Sequence, residues 1–208
     1  MIFAYNKAQV GDVLMVLLED KKDIKRAIEH KGDFARVYAL EDGRTVAWNI
    51  FEASQKIALE GQGQVFPSAA DIAHLNALLD EAGFRERLEV PVYPVFVVGE
   101  IKEMVAHPDS DHLNICQVQV AQDRVIQIVA GAPNAAVGLK TIVALPGAMM
   151  PSGALIFQGQ LRGVASYGMM CSPRELALPN APQKRGIIEL AVDAPVGQAF
   201  AASKHWQA

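Results

Sequence analysis

A chain of 208 residues, 51% hydrophobic and 20% charged, suits one large globular domain or two small ones, with no internal repeat or low-complexity segment. A net charge of −4 argues against capture of nucleic acid by bulk positive charge, and the charge is uneven: 11 basic and 15 acidic residues in 1–90, 8 of each in 91–208. Cys116 and Cys171 lie too far apart for a zinc knuckle or a disulfide framework, and no charged-then-apolar leader or long apolar run is present. The expectation is a cytoplasmic protein with reduced thiols and no membrane span.

Residues 1–5 are short and apolar, and 12–18 run apolar after Gly11; both suit buried strands. Residues 20–31 are dense in charge of both signs with few apolar anchors, which predicts a solvated loop or a marginal helix. Segments 34–40 and 44–50 flank Glu41-Asp-Gly43 and read as a hairpin. Ser68-Ala-Ala-Asp71 has capping-box spacing, Ile72, Leu75, Leu78 and Leu79 follow at helical spacing, and Gly83 ends that helix. Residues 1–90 therefore read as an α+β module. They hold no glycine-rich phosphate loop and no nucleophile–base set, so the residues alone assign this half no role.

Pro91 and Pro94 mark a boundary, beyond which the pattern turns to β. Strand candidates are 95–105, 113–120, 124–129, 141–145 and 154–161, separated by Gly, Pro, Asn and Asp clusters. Five strands and a small helix suit an all-β, five-stranded Greek-key barrel of the OB type, here at 92–203. The stretch that organises this half starts with an alternation. Ile156, Gln158, Gln160 and Arg162 fall on one side of an extended chain, Phe157 and Leu161 on the other. Gly163, Ser166 and Gly168 then puncture the run, as a backbone does where it turns sharply or lies close to another segment. Met169, Met170 and Cys171 read as a buried block, and Ser172-Pro-Arg-Glu175 as a capped helix start with its amides pointing outward.

Several groups carry candidate chemistry. His107-Pro-Asp-Ser-Asp-His112 packs two imidazoles and two carboxylates into six residues, which fits either a metal site or a polar turn held by side-chain bonds of Asp109 and Ser110. Cys171 at a helix start suggests a nucleophile, but no histidine is near in sequence and its apolar neighbours favour a structural thiol. The glycines of 131–134 and 145–153 lack phosphate-loop spacing and read as barrel connections, with Met149 and Met150 as core filling. Arg162 suits a phosphate fork or a surface salt bridge; Ser166 suits a ribose or phosphate contact or a turn cap.

The run Leu161-Arg-Gly-Val-Ala-Ser-Tyr-Gly-Met-Met-Cys-Ser172 resembles the signature of the tRNA-binding OB-fold domain. That domain is found in phenylalanyl-tRNA synthetase β chains, in methionyl-tRNA synthetase C-terminal regions and in free-standing tRNA-binding proteins. The resemblance extends to Val98-Gly-Glu-Ile101, His107–Leu113, residues 128–134, Ala144-Leu-Pro-Gly-Ala148 and Ala194-Pro-Val-Gly197. With its extra N-terminal module, the whole chain is similar to free-standing members of the YtpR type. The resemblance implies RNA contacts at Arg162, Gly163, Ser166, Gly168, Met169, His107, Asp109, His112, Asn114 and Arg174, with Lys184 and Arg185 as weaker additions to the same face. It favours the turn over the metal at 107–112. Family members usually carry Lys where this chain has His112, which removes one fixed positive charge. The function implied is non-catalytic binding of folded tRNA, with no cofactor and no metal. The rival, from another class, is a protein-interaction or dimerisation module that docks a synthetase or the translation machinery.

Overall fold

The computed structural model describes residues 1–206. The chain divides into two compact units, Met1–Tyr93 and Pro94–Ala208. In the first, β1 (Ile2–Tyr5), β2 (Val13–Leu17), β3 (Arg26–Lys31), β4 (Phe34–Ala39), β5 (Thr45–Phe51) and β6 (Gly63–Val65) form one antiparallel sheet in the order β3-β4-β5-β2-β1-β6. Single helical turns at Lys7–Val10 (α1) and Ala53–Lys56 (α2) link strands. The helix Ala69–Glu81 (α3) starts on the Ser68–Asp71 capping box and buries Ile72, Leu75 and Leu79 beside Phe3, Leu14, Val16, Trp48 and Ile50.

One expectation for this unit is corrected. Residues 26–31, read as loop or marginal helix, form the edge strand β3. Its residues alternate between exposed and half-buried, and Ile28 is 67% exposed. An edge strand needs no apolar face, and charge along it discourages pairing with other chains, so no strand pattern shows in the sequence.

The second unit is mostly β. β7 (Phe96–Ala106), β8 (Asn114–Ala121), β9 (Arg124–Ala130), β10 (Lys140–Ala144) and β13 (Met169–Met170) make a five-stranded antiparallel sheet in the order β13-β10-β7-β8-β9. A register shift between Ile101 and Glu103 marks a bulge on β7, the device that bends a strand and curls its sheet. Neighbouring residues of β7 and β10 are buried on opposite faces. Val97, Ile101 and Val143 join Cys116, Val118, Ile128 and Met170 on one face, while Val98, Ile142 and Ala144 join Met150, Cys171 and Ile188 on the other. Burial on both faces is why these strands read as continuous apolar runs. A four-residue helix, Ala202–His205 (α4), closes the described chain. No helix among the described residues is long and apolar enough to cross a membrane.

Two expectations change here. The strand expected at 154–161 is not in the sheet. Leu155 makes a lone antiparallel bridge to Met149, and Gly159–Leu161 (β11) pairs with Val164–Ser166 (β12) as a separate two-stranded hairpin. The sheet's fifth strand is instead the two-residue β13, paired with β10 at Val143 and Ala144. The polar alternation of 158–162 belongs to a ribbon with little core to face, so it resembled a barrel strand without being one. The helix expected after Ser172 is a single turn. Its capping box is formed, with Ser172 N and Oγ both donating to Glu175 Oε2 at 2.7 Å. Ala177 then takes φ +51°, and Leu178 N donates to Pro173 O at 3.0 Å, a C-terminal closure that ends the turn. Pro179 and Pro182 follow and forbid continuation.

The interior holds one unpaired polar atom: Thr141 is fully buried on β10, and its Oγ1 has no hydrogen-bond partner among the described residues. Replacing a buried hydroxyl that bonds nothing by a methyl removes a desolvation cost and keeps the shape. Thr141→Val is therefore expected to stabilise this unit by about 1 kcal/mol. Thermal unfolding checks it, and a lower midpoint than wild type refutes it.

Candidate nucleic-acid interface

The β11–β12 hairpin has a two-residue turn made of Arg162 and Gly163, with φ of +47° and +80°. Two successive positive φ values are the signature of the type I′ turn, whose twist matches that of paired strands and whose usual residues are Asn, Asp and Gly. Arg162 therefore sits not at the end of a long strand but at a turn tip, in a conformation that costs a residue with a Cβ about 1 kcal/mol. Its Nη1 donates to Asp109 O at 3.0 Å, and the rest of the guanidinium is left exposed.

That bond ties the hairpin to the 107–113 loop, whose construction differs from the expected one. Ser110 Oγ accepts from His112 N at 3.5 Å, as expected, but the His107 ring holds the turn in place of the Asp109 side chain. His107 is only 3% exposed, its Nδ1 accepts from Asp109 N at 3.0 Å, and its Nε2 lies 3.3 Å from Leu161 O. With Nδ1 accepting, Nε2 carries the proton and donates to that carbonyl. His107 N donates to Leu113 O and Ser110 N to His107 O, which closes the loop. A ring this buried is scaffolding, not a solvent-facing contact. The Asp109 side chain is exposed. No group of three or more His, Cys, Asp or Glu among the described residues is placed to hold a metal ion.

At the hairpin's base, Ser166 is half-buried and its hydroxyl is engaged. Val129 N donates to Ser166 Oγ at 3.1 Å, and Oγ lies 3.4 Å from Gly168 O. Gln127 completes this seam: its Nε2 donates to Ala165 O at 2.7 Å, and its backbone carbonyl accepts from Tyr167 N at 2.8 Å. The sequence reading missed Gln127, whose only signal was a glutamine among β9's apolar residues. Gly168 lies where the chain passes close to β10. A Cβ built on it would stand 2.8 Å from Ala144 O.

The remaining candidates gather at a groove of about 380 Å³ lined by His112, Gly131, Met169, Arg174, Glu175 and Arg185. Three segments that carried the resemblance, 107–113, 128–134 and 161–172, meet along it. The Arg174 guanidinium has no hydrogen bond or ion pair among the described residues, and that of Arg185 makes one long bond, to Gly131 O at 3.4 Å. His112 is exposed at the mouth, where its Nδ1 lies 2.8 Å from Asp111 and holds that carboxyl below its ordinary range. Asn114 opens β8 beside it and is half-buried. Two of the amides expected to point outward are engaged, since Ser172 N bonds Glu175 Oε2 and Glu175 N bonds Ser172 Oγ. Cys171 is fully buried and burial pushes its thiol up to about 12, so no thiolate forms there near neutral pH.

The surface thus has a cationic hairpin tip clasped to a polar loop, and a groove edged by two guanidiniums. Such an arrangement grips a polyanion at a few points. A family model described as a putative tRNA binding domain matches residues 96–199, and one described as a domain of unknown function (DUF4479) matches residues 21–91. The chain is 41% identical to the putative tRNA-binding protein YtpR of Bacillus subtilis over 94% of this chain and 97% of that protein. It is 48% identical to the phenylalanine–tRNA ligase beta subunit of Rhodospirillum rubrum, and 45% to that of Dechloromonas aromatica, over 62% and 61% of this chain. In both cases the match spans 16% of the ligase subunit. With half its length matched by the domain and nearly all of it by the Bacillus protein, the chain belongs to the family of the putative tRNA binding domain.

Proposed function

We propose that this chain is a non-catalytic tRNA-binding protein that reads the folded shape of tRNA through its C-terminal unit. The observation that carries the reading is the family match over residues 96–199, three of whose segments line the groove and the hairpin clasp. The contacts proposed for RNA are the Arg162 guanidinium, the backbone around Gly163, and His112, Met169 and Arg174 at the groove, joined by Arg185. His107, Ser166 and Gly168 hold that surface in shape. The proposed domain is an OB-type Greek-key barrel at 92–203, preceded by an α+β module at 1–90. The zero net charge of residues 91–208 suits shape recognition, in which backbone and 2′-hydroxyl geometry are read, better than attraction by charge.

Filter binding with total tRNA and with an unstructured RNA of equal length tests the function. Tight binding of the first and weak binding of the second is expected. RNA-free protein that co-purifies with a synthetase subunit would instead favour a docking module. The proposed domain boundary adds a separate expectation: residues 92–208 fold alone and keep most of the tRNA affinity. A folded fragment that binds no tRNA would move the principal site elsewhere.

A further inference from the structure

Resting on the tRNA-binding reading, we propose that His107 is a positioning residue that sets the discrimination between folded tRNA and unstructured RNA. Buried to 3% exposure, it is not placed to touch RNA itself. It acts through two opposed bonds that clasp the 107–113 loop to the hairpin tip. His107 Nε2 donates to Leu161 O, and Arg162 Nη1 returns to Asp109 O. His107 Nδ1, by accepting from Asp109 N, also holds that carbonyl's own residue in place.

The hairpin needs such a clasp. Its strands are three residues each, and Gly159–Leu161 are all exposed, so burial contributes little to holding it. Gln127 and Ser166 anchor its base, whereas among the described residues only the clasp anchors its tip. The same loop carries His112 to the groove that Arg174 edges. One buried imidazole therefore fixes the hairpin's cation against the loop whose His112 lines the groove. A preformed RNA surface gains from a fixed spacing, because no ordering is left to be done on binding. A flexible RNA adapts to any spacing and gains nothing from it.

The test compares binding of total tRNA and of an unstructured RNA of equal length. His107→Asn keeps an acceptor for Asp109 N and deletes the Nε2 bond; His107→Gln places an amide donor near the Nε2 position. The Asn variant is expected to lower the tRNA preference about fivefold to tenfold, by weakening tRNA binding alone. The Gln variant should restore the preference to within about twofold of wild type. In an Arg162→Ala background, His107→Asn should cost nothing further, because the two act through one clasp. Equal losses on both RNAs, an unchanged preference, or a loss that adds in full to that of Arg162→Ala would overturn the proposal. If the Asn variant does not fold, amide exchange on the wild-type chain decides. Protection at Asp109 and across 159–166 before tRNA is added supports the clasp, and protection that appears only with tRNA overturns it. A wild-type chain that binds no tRNA rejects the functional reading itself, whereas tRNA binding indifferent to His107→Asn rejects only this inference.

Discussion

Gly168→Ala is expected to destabilise the C-terminal unit by roughly 3 kcal/mol and to lower its unfolding midpoint by about 10 °C. Two costs add. Gly168 has φ +148°, a conformation that side chains rarely adopt, and a Cβ there would stand 2.8 Å from the backbone oxygen of Ala144. That oxygen belongs to β10, which pairs with β7 and β13, so the strand cannot step aside without loosening its ladder. Gly163→Ala is the control. It also has positive φ, at +80°, but nothing lies within 4 Å of its Cβ position. Only the backbone term applies there, worth about 1 kcal/mol. Thermal or denaturant unfolding of both variants separates the terms. Equal destabilisation of the two would show that the close approach to β10 contributes nothing.

How much of this was legible beforehand depended on whether a signal was local. Ser68–Asp71 and Ser172–Glu175 have the same capping-box spacing, and both boxes form. Only the first starts a helix. Apolar residues at helical spacing follow Asp71, whereas Pro179 and Pro182 follow Glu175. Four of the five strand candidates of the second unit were legible because β7 and β10 are buried on both faces and β8 alternates. The hairpin was not, because Arg-Gly is a rare pair at a type I′ turn and the three residues of β12 are too few to show a period. His107 was the most misleading residue. An imidazole two residues from a carboxylate looks like a ligand, and only the fold reveals that its ring faces Leu161 O across 54 positions of sequence. The groove was beyond local reasoning for the same reason. His112, Gly131, Met169 and Arg185 are brought together by topology, and only the family resemblance pointed to some of them.

Arg162→Ala is expected to weaken tRNA binding by about 1–3 kcal/mol, the scale of a charge-assisted hydrogen bond, and to lower the salt dependence by about one phosphate. The C-terminal half has few cations to spend. Lys102 is paired with Glu100 at 2.8 Å, and Lys140 is engaged with Ala194 O at 2.8 Å. Arg162, Arg174 and Arg185 are the guanidiniums at the hairpin tip and the groove edge. Counterion release then predicts a shallow log–log slope for the wild-type chain, of magnitude about 2–4 if each contact contributes roughly 0.7–0.9. Arg162 is singled out because its turn position favours Asn or Gly, yet it holds a cation at the tip of a hairpin that has little core of its own. The substitution leaves the positive φ strained to a similar degree, so the loss of affinity reports the guanidinium, in its phosphate contact and in its bond to Asp109 O together. Affinity beyond those few charges comes from fit, so several purified tRNAs should compete equally, whatever their anticodon. A tRNA denatured by heat and held without magnesium should hardly compete at all. Salt titrations of wild type and Arg162→Ala against several tRNAs measure all of this. A slope as steep as that of a polycationic binder, strong preference for one tRNA species, or an Arg162→Ala variant that binds like wild type would each reject recognition by shape through this hairpin.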